Sequence, residues 1–172
     1  MGKLRAPEPL TSKHRVDAFD CGIDSLNQWL RQQALKNEIS GASRSFVVCE
    51  EGDLVVGYYA LATGSILRQK APGNIRLAMP DPIPVMVLGR LGVDLRRQSS
   101  GLGSGLLRDA VLRTYGVSKQ AGIRALLVHA LSEEAKKFYL HHGFQESPME
   151  ALTMLLHLRE VEHILKTASS GE

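Results

Sequence analysis

The hydrophobic positions switch between helical and strand-like spacing along the chain, and each switch predicts an element. Residues 24–39 carry apolar side chains at helical intervals, which predicts an amphipathic helix with Asp24 as its N-cap. Two β-branched and aromatic runs, residues 45–49 and 54–63, predict a hairpin around a short polar turn. Strand character returns at residues 83–93.

The second half of the chain continues this alternation. Proline and glycine mark residues 67–82 as a long irregular loop. A second amphipathic helix is predicted over residues 104–118, and a nearly continuous apolar run at 123–131 predicts a strand that is covered on both faces. Ser132 is placed to cap a helix over residues 133–142.

Two further strands are predicted near the end, one beginning at Phe144 and one over residues 151–158. The order is strand, helix, three strands, helix, strand, helix and two strands, which predicts an α+β fold with a largely antiparallel sheet. We expect residues 1–158 to form a single domain. Residues 159–172 are expected to be a short C-terminal extension that frays or contacts a partner.

Composition narrows the class of protein without assigning a function. The chain of 172 residues is long enough for one well-buried domain, and 44% hydrophobic with 23% charged residues is ordinary for a globular protein. No apolar stretch reaches the roughly 20 residues of a membrane span, and the N-terminus lacks a signal-peptide core, so we expect a cytoplasmic protein. A net charge of +3 and a pI of about 9.0 permit a polyanionic partner without requiring one.

Cysteine and histidine spacing predicts no metal site. Cys21 and Cys49 have no CxxC spacing, so we expect reduced thiols. The histidines form neither an HExxH motif nor a Cys/His ligand set, and the adjacent His141 and His142 point apart on their helix. We expect His129 to pack on its strand.

A glycine-rich turn separates the strand at 83–93 from the helix that follows it. The turn reads Gln98-Ser99-Ser100-Gly101-Leu102-Gly103-Ser104-Gly105. Successive glycines let several backbone N–H groups point into one concavity, and the start of the helix adds donors that have no intrahelical acceptor. A diphosphate matches that arrangement, and Arg96 and Arg97 add positive charge beside it.

Other glycine-rich motifs fit this turn less well. It is not a Walker A motif, because no Lys-Ser/Thr pair follows the last glycine. It lacks the GxGxxG spacing of a dinucleotide fingerprint, and the strand before it is not the first of a βαβ unit. In isolation, a glycine-rich turn without a ligand stays open as an alternative.

Two ordered segments resemble the GNAT superfamily of acyl-CoA N-acyltransferases. The pattern Q-x-x-G-x-G from Gln98, after a strand ending in LGV at 91–93, is similar to that superfamily's acetyl-CoA signature. The pattern S-x-x-A-x-x-x-Y-x-x-x-G-F at 132–144 is similar to its strand–helix segment. The resemblance implies acetyl-CoA as acyl donor and the GNAT fold, a mixed sheet with a splayed central strand pair flanked by helices.

The resemblance narrows to one branch and extends over nearly the whole chain. The segments that carry it are FDCG at 19–22, GASRSFVV at 41–48, GYYALATGS at 57–65, MPDPIPV at 79–85, LGRLGVD at 88–94 and LVHALSEEAKKFY at 127–139. They resemble the GNAT toxins of bacterial type II toxin–antitoxin systems. That resemblance implies acetylation of the α-amine of aminoacyl-tRNA, which blocks translation. It also implies a ribbon-helix-helix antitoxin, operator DNA bound only through the toxin–antitoxin complex, and a homodimer.

Three positions depart from the pattern of that branch. Gly92 stands where relatives usually carry alanine, and Ser99-Ser100 replaces a pair that usually contains glycine. Arg76 is followed by Leu77 where close relatives tend to have two adjacent basic residues. The last departure bears on the surface that would face tRNA.

The resemblance also assigns roles to residues of this chain. Tyr139 takes the place of the general acid that protonates the leaving thiolate. Backbone groups at Leu91 and Val93 would contact the pantetheine arm and the thioester carbonyl. The remaining residues of the implied acetyl-CoA site are Arg97, the turn at 98–105, Ser132, Ala135 and Phe138.

The acceptor side is less marked in the sequence. No residue stands out as a general base, which suits an α-amine that titrates near 7.7–8.0 better than a lysine amine near 10.4. The candidate tRNA contacts are the basic residues Arg31, Lys36, Arg44, Arg76 and Arg90. Because no aromatic stripe is present for base stacking, we expect contacts with the RNA backbone and acceptor end.

Two other functions stay open at the level of the sequence. One is a GNAT acetyltransferase of a small amine or a protein N-terminus. The other is a GNAT fold that binds or regulates without catalysis, against which the intact glycine turn and Tyr139 both count. A ribbon-helix-helix reading frame directly upstream would favour the toxin.

Overall fold

A mixed sheet of seven strands organises residues 4–162, the part of the chain that this computed structural model describes. The strands are β1 (Glu8–Pro9), β2 (Arg44–Glu50), β3 (Leu54–Ile66), β4 (Ile83–Val93), β5 (Ala125–His129), β6 (Gln145–Glu146) and β7 (Thr153–His157). Their order in the sheet is β1-β2-β3-β4-β5-β7-β6. Strands β4 and β5 pair in parallel, whereas β1 with β2, β2 with β3, β5 with β7 and β6 with β7 pair antiparallel.

Helices connect these strands. They are α1 (Asp24–Gln32), α2 (Ala34–Ser40), α3 (Gly73–Arg76), α4 (Leu102–Ser118) and α5 (Glu133–His141), with 3₁₀ turns at Arg68–Lys70 and Leu95–Arg97 and a helical turn over 158–162. Across residues 4–162, none of these helices is long and apolar enough to cross a membrane. Most of the predicted C-terminal extension, residues 163–172, lies outside the described residues.

The chain forms two compact units, each with its own hydrophobic core. One is built from the chain up to Ala62 and from Gly89–Ala110, and the other from Thr63–Leu88 and the chain from Val111 onward. The first core includes side chains of α1, β2 and β3, such as Leu30 and Val47. The second includes side chains of α3, β4, β5 and β7, and both cores arise because alternate strand residues face a helix or loop.

Strand β4 extends beyond the residues that pair with β5. The parallel register joins Val85–Leu88 to Ala125–Val128, while β4 itself continues to Val93. The predicted strand at 83–93 and the predicted order of long elements are confirmed, as is the α+β class. The strand at 123–131 was predicted too long, since β5 covers only Ala125–His129.

The predicted helix at 24–39 is wrong in two details. It is interrupted at Gln33, whose φ of −118° departs from helical geometry and divides it into α1 and α2. Its N-cap is Ile23, and the Asp24 carboxylate instead accepts a hydrogen bond of 2.7 Å from the Gln28 side chain. No glycine or proline marks the interruption, so the local sequence carries no signal for it.

The predicted irregular loop at 67–82 contains short helical structure. Ile75 in α3 is fully buried in the second core, which fixes this segment against β4 and β5. The Arg124 guanidinium donates to the backbone carbonyls of Asn74, Ile75 and Leu77 at 3.0–3.3 Å. Helix α3 thus depends on a side chain that is distant in sequence, which its own composition could not predict.

Candidate active site

The glycine-rich turn begins where β4 ends, and a buried aspartate fixes that junction. The Asp94 carboxylate accepts from the backbone N–H groups of Asp20 at 3.1 Å and Arg96 at 3.0 Å, and pairs with the Arg96 guanidinium at 2.8 Å. Burial by itself would raise the pKa of Asp94, but these hydrogen bonds lower it below its usual value. Sequence reasoning missed this residue, whose only signal is its position directly after the strand.

The Gln98 side chain holds the turn in place. Its amide nitrogen donates to the carbonyl of Val93 and to the carbonyl of Cys21, both at 3.0 Å. These two bonds tie the turn to the end of β4 and to the segment before α1. Gln98 therefore shapes the turn, and its predicted contact with acetyl-CoA stays a prediction.

The turn itself has the backbone geometry of an anion cradle. Ser99 and Gly101 adopt positive φ angles of 63° and 87°, and the first helical bond of α4 joins the Gly105 N–H to the Gly101 carbonyl at 3.1 Å. A Cβ added at Gly101 or Gly105 would meet no atom within 4 Å. Open space beside the backbone at a helix N-terminus fits the close approach of a diphosphate.

The two arginines beside the turn are held by carboxylates. Arg97 donates from Nε to Glu50 at 2.7 Å, and Arg96 is bound to Asp94. The Ser100 hydroxyl donates to the Arg97 carbonyl oxygen. Much of the arginine charge is therefore matched within the protein, which leaves backbone N–H groups as the main feature for recognising a diphosphate.

The second predicted motif lies on β5 and α5. Ser132 is the N-cap of α5, and its hydroxyl oxygen accepts from the Ala135 N–H at 3.1 Å, as predicted. Leu91 and Val93, like Ala135 and Phe138, are half-buried. Leu91, Val93 and residues 97–105 belong to the first unit, and Ser132, Ala135, Phe138 and Tyr139 to the second.

Tyr139 is buried among aromatic rings. It is 6% exposed, and its ring makes edge contacts with Phe138 and Phe144 at centroid distances of 5.2 and 5.3 Å. Burial raises the pKa of Tyr139 to about 12. Its hydroxyl makes no hydrogen bond to any residue within 4–162, so the packing fixes the ring and leaves the phenol able to donate.

The predicted tRNA contacts differ in their surroundings. Arg44 is 60% exposed at its side chain and binds Glu38, and Lys36 and Arg76 are exposed. Arg90 lies 5.1 Å from the Trp29 ring centroid in a cation–π contact. Arg76 belongs to the second unit, and the other four residues belong to the first.

Arg31 lies in a more acidic setting than the other four. It donates to the Phe19 carbonyl at 2.8 Å and lines a cavity of about 350 Å³ together with Asp17, Asp20 and Asp24. The Gly22 N–H and the Asn27 side chain lower the pKa of Asp20, which favours its charged form. Three carboxylates beside Arg31 oppose a phosphate, so Arg31 is the weakest of the predicted tRNA contacts.

A second cluster that sequence reasoning missed joins Glu8, His14 and Cys49. Their ligand-type atoms lie within 4.8 Å of one another, and His14 Nε2 lies 2.7 Å from Glu8. The Thr11 N–H donates to His14 Nδ1, so Nε2 carries the proton and donates to Glu8. The Arg5 guanidinium lies 3.3 Å from Glu8, and its positive charge opposes a cation here. The cluster is best explained as a hydrogen-bonded contact that fixes β1.

His129 is exposed, although the sequence predicted that it would pack. Its Nδ1 lies 3.0 Å from the Thr153 hydroxyl oxygen, the first link of a polar network. The residues that complete this network are far apart in sequence, so spacing alone could not identify them.

Comparison with known proteins gives the family. The acetyltransferase (GNAT) domain family matches residues 42–146. A tRNA-acetylating toxin of Mycobacterium tuberculosis is 44% identical over 165 residues, which cover 96% of this chain and 99% of the toxin. AtaT complexed with acetyl-methionyl-tRNAfMet superposes with a TM-score of 0.88 at 27% identity, covering 95% of this chain and 99% of that one.

A mutant AtaT toxin bound to acetyl-CoA and to the C-terminus of the antitoxin AtaR is also similar. Its TM-score is 0.80 at 26% identity, with coverage of 95% of this chain and 99% of that chain. The α+β prediction and the GNAT resemblance are both confirmed by these likenesses. Since the domain match spans more than half of the chain and agrees with a full-length relative, the chain belongs to the GNAT family of acetyltransferases.

Proposed function

We propose that this protein is a toxin that transfers the acetyl group of acetyl-CoA to the α-amine of the amino acid on charged tRNA. The acetylated amine can no longer form a peptide bond, so translation stops. The observation that carries this proposal is the likeness to a tRNA-acetylating toxin along 96% of the chain. The glycine turn and the buried Tyr139 supply the chemistry that such a reaction needs.

Acetyl-CoA would supply an acyl group activated as a thioester. Backbone N–H groups of the turn at 98–105, other than that of Gly105, which bonds to the Gly101 carbonyl, would bind its diphosphate, because the turn presents them beside open space. Leu91 and Val93 would align the pantetheine arm along β4, with Arg97 and Gln98 supporting the turn. Ser132, Ala135 and Phe138 are the further residues that we propose as contacts of acetyl-CoA.

Tyr139 would donate a proton to the departing thiolate. A thiol titrates near 8.5 and the Tyr139 phenol at about 12, so the phenol keeps its proton until the C–S bond breaks, and the transfer is completed when solvent returns a proton to the phenolate. Burial therefore keeps the acid protonated until negative charge develops beside it. The absence of a hydrogen-bond partner among residues 4–162 leaves that proton available.

The proposal extends to the partners of the toxin. Lys36, Arg44, Arg76 and Arg90, with Arg31 as the weakest member, would contact the tRNA backbone. A ribbon-helix-helix antitoxin would neutralise the enzyme, and operator DNA would be bound only through that complex. We place the enzyme in the cytoplasm as a homodimer, with residues 1–158 as its catalytic domain.

The test is incubation of the purified protein with labelled acetyl-CoA and a mixed pool of charged tRNAs. We expect label on the α-amine of an aminoacyl group, identified by mass spectrometry after release from tRNA. Uncharged tRNA is the matched control and should take up no label. Label found on peptides or polyamines alone, with none on charged tRNA, would refute the substrate assignment.

A further inference from the structure

His129 ends β5 and begins a hydrogen-bonded network that passes through buried Thr153 to a partly exposed ion pair. Its Nδ1 lies 3.0 Å from the hydroxyl oxygen of Thr153, its register partner on β7. The Thr153 hydroxyl donates to Glu150 Oε2 at 2.9 Å, and Glu150 Oε1 pairs with Lys70 Nζ at 2.7 Å. Thr153 is 4% exposed, whereas His129 is exposed and the Glu150 and Lys70 side chains are 39% and 35% exposed, so only the middle of the network is buried.

The direction of these bonds fixes the histidine tautomer. Lys70 and Thr153 lower the pKa of Glu150, so at neutral pH its carboxylate can only accept hydrogen bonds. The single hydroxyl proton of Thr153 is used by Glu150, and its oxygen must therefore accept from His129 Nδ1. Neutral His129 then carries its proton on Nδ1, and Nε2 keeps a lone pair.

A threonine and a carboxylate behind the ring orient the imidazole and place its proton on Nδ1, so that Nε2 can accept a proton, which is the organisation of a general base. His129 also lies three residues before Ser132, the N-cap of the helix that carries Tyr139. The charged groups that meet this network among residues 4–162 are Glu150 and Lys70.

We propose that His129 is the catalytic base: Nε2 accepts the proton that the α-amine loses as it attacks the thioester, and Thr153 and Glu150 position the ring. This inference rests on the proposed function. The nitrogen–carbonyl bond forms and the carbon–sulfur bond breaks. The amine proton moves to Nε2, and Tyr139 gives its proton to the thiolate. Water then takes the imidazolium proton and returns one to the Tyr139 phenolate, so the reaction releases no net proton from a neutral amine.

The experiment compares four full-length variants with the wild type on charged tRNA: His129→Gln, His129→Ala, Thr153→Val and the control His141→Gln. His141 is an exposed histidine on α5 that lies outside the network. We expect His129→Gln to lower kcat/KM about 100-fold at neutral pH, Thr153→Val about 10-fold, and His141→Gln to have no effect. Thermal midpoints and calorimetric affinity for acetyl-CoA report whether each variant is folded.

The pH profile and chemical rescue separate a base from a structural residue. If both His129 and the amine must be neutral, log kcat/KM rises with a slope of about two at acid pH in the wild type and about one in His129→Gln. Added imidazole should restore part of the activity of His129→Ala. An unchanged slope together with failed rescue overturns the proposal, as does wild-type activity in His129→Gln. If His129→Gln does not fold, wild-type activity in folded Thr153→Val overturns the positioning network.

The experiment gives a different result if His129 is a base but the proposed acceptor, charged tRNA, is wrong. In that case the wild type binds acetyl-CoA but labels no charged tRNA, and the same variants are assayed on whichever amine the wild type does acetylate. The role of His129 is thereby tested independently of the acceptor's identity.

Discussion

At Tyr139, ring packing and hydroxyl chemistry can be separated by one substitution. Tyr139→Phe keeps the edge contacts with Phe138 and Phe144 and removes a hydroxyl without a hydrogen-bond partner among residues 4–162. We expect kcat for charged tRNA to fall by about 10²–10⁴-fold, with the thermal midpoint and the acetyl-CoA affinity unchanged. Stopped-flow or single-turnover acetylation measures the rate. Full activity in the folded variant would remove Tyr139 from the mechanism.

Alanine substitutions at two strand glycines, neither of which has a positive φ, should change stability in opposite directions. A Cβ at Gly92 would meet Tyr58, Cys21 and Phe19 at 3.4–3.5 Å, which is ordinary contact, so Gly92→Ala should stabilise the protein by about 0.5–1 kcal/mol. A Cβ at Gly64 would lie 2.8 Å from Val87 Cγ2, so Gly64→Ala should cost about 1 kcal/mol or more. Urea denaturation of both variants measures the two changes, and a destabilised Gly92→Ala would contradict the first.

At the scale of an element, α5 depends on its N-cap. Ser132→Ala removes the acceptor for the Ala135 N–H and should destabilise the protein by about 1 kcal/mol, whereas Ser132→Asn keeps an acceptor and should cost much less. Thermal unfolding of the pair measures this difference. If Ser132→Ala alone also weakens acetyl-CoA binding, the cap matters for the donor site. Equal stability of the two variants would show that the cap contributes little.

The sequence predicted those elements whose signals are local. Strand β4 was predicted over its full observed length because apolar residues define it, prolines precede it and the glycine-rich turn follows it. The Ser132 cap was predicted because a cap requires only neighbouring residues. Helix α3 was missed because its stability comes from burial of Ile75 and from Arg124, which lies 49 residues away. The split between α1 and α2 has no local marker, so only tertiary packing can account for it.

The candidate site shows the same division. Tyr139 and the glycine turn were predicted from motifs, but the hydrogen bonds that hold the turn were not. Gln98 reaches the carbonyl of Cys21 across 77 positions of sequence, and His129 meets Thr153 across 24. A single sequence shows which residue types are present but not which distant pairs meet. The network behind His129, and the carboxylates that match Arg96 and Arg97, could therefore be identified only in the folded chain.

For the whole molecule, the net charge of +3 predicts how salt should affect the two substrates differently. Charged tRNA bound through its phosphates should show a KM that rises steeply with salt, whereas the KM for acetyl-CoA, held mainly by backbone N–H groups, should change much less.

One lysine tests whether the first unit carries part of that electrostatic contact. Lys36 is exposed on α2, and we expect Lys36→Gln to raise the KM for charged tRNA and to reduce the slope of log KM against log salt by about one, because one phosphate contact is lost. Lys13→Gln, at another exposed lysine, removes the same charge and should leave the slope unchanged. Equal slopes in both variants would mean that Lys36 contributes only to the overall charge, and that tRNA approaches another surface.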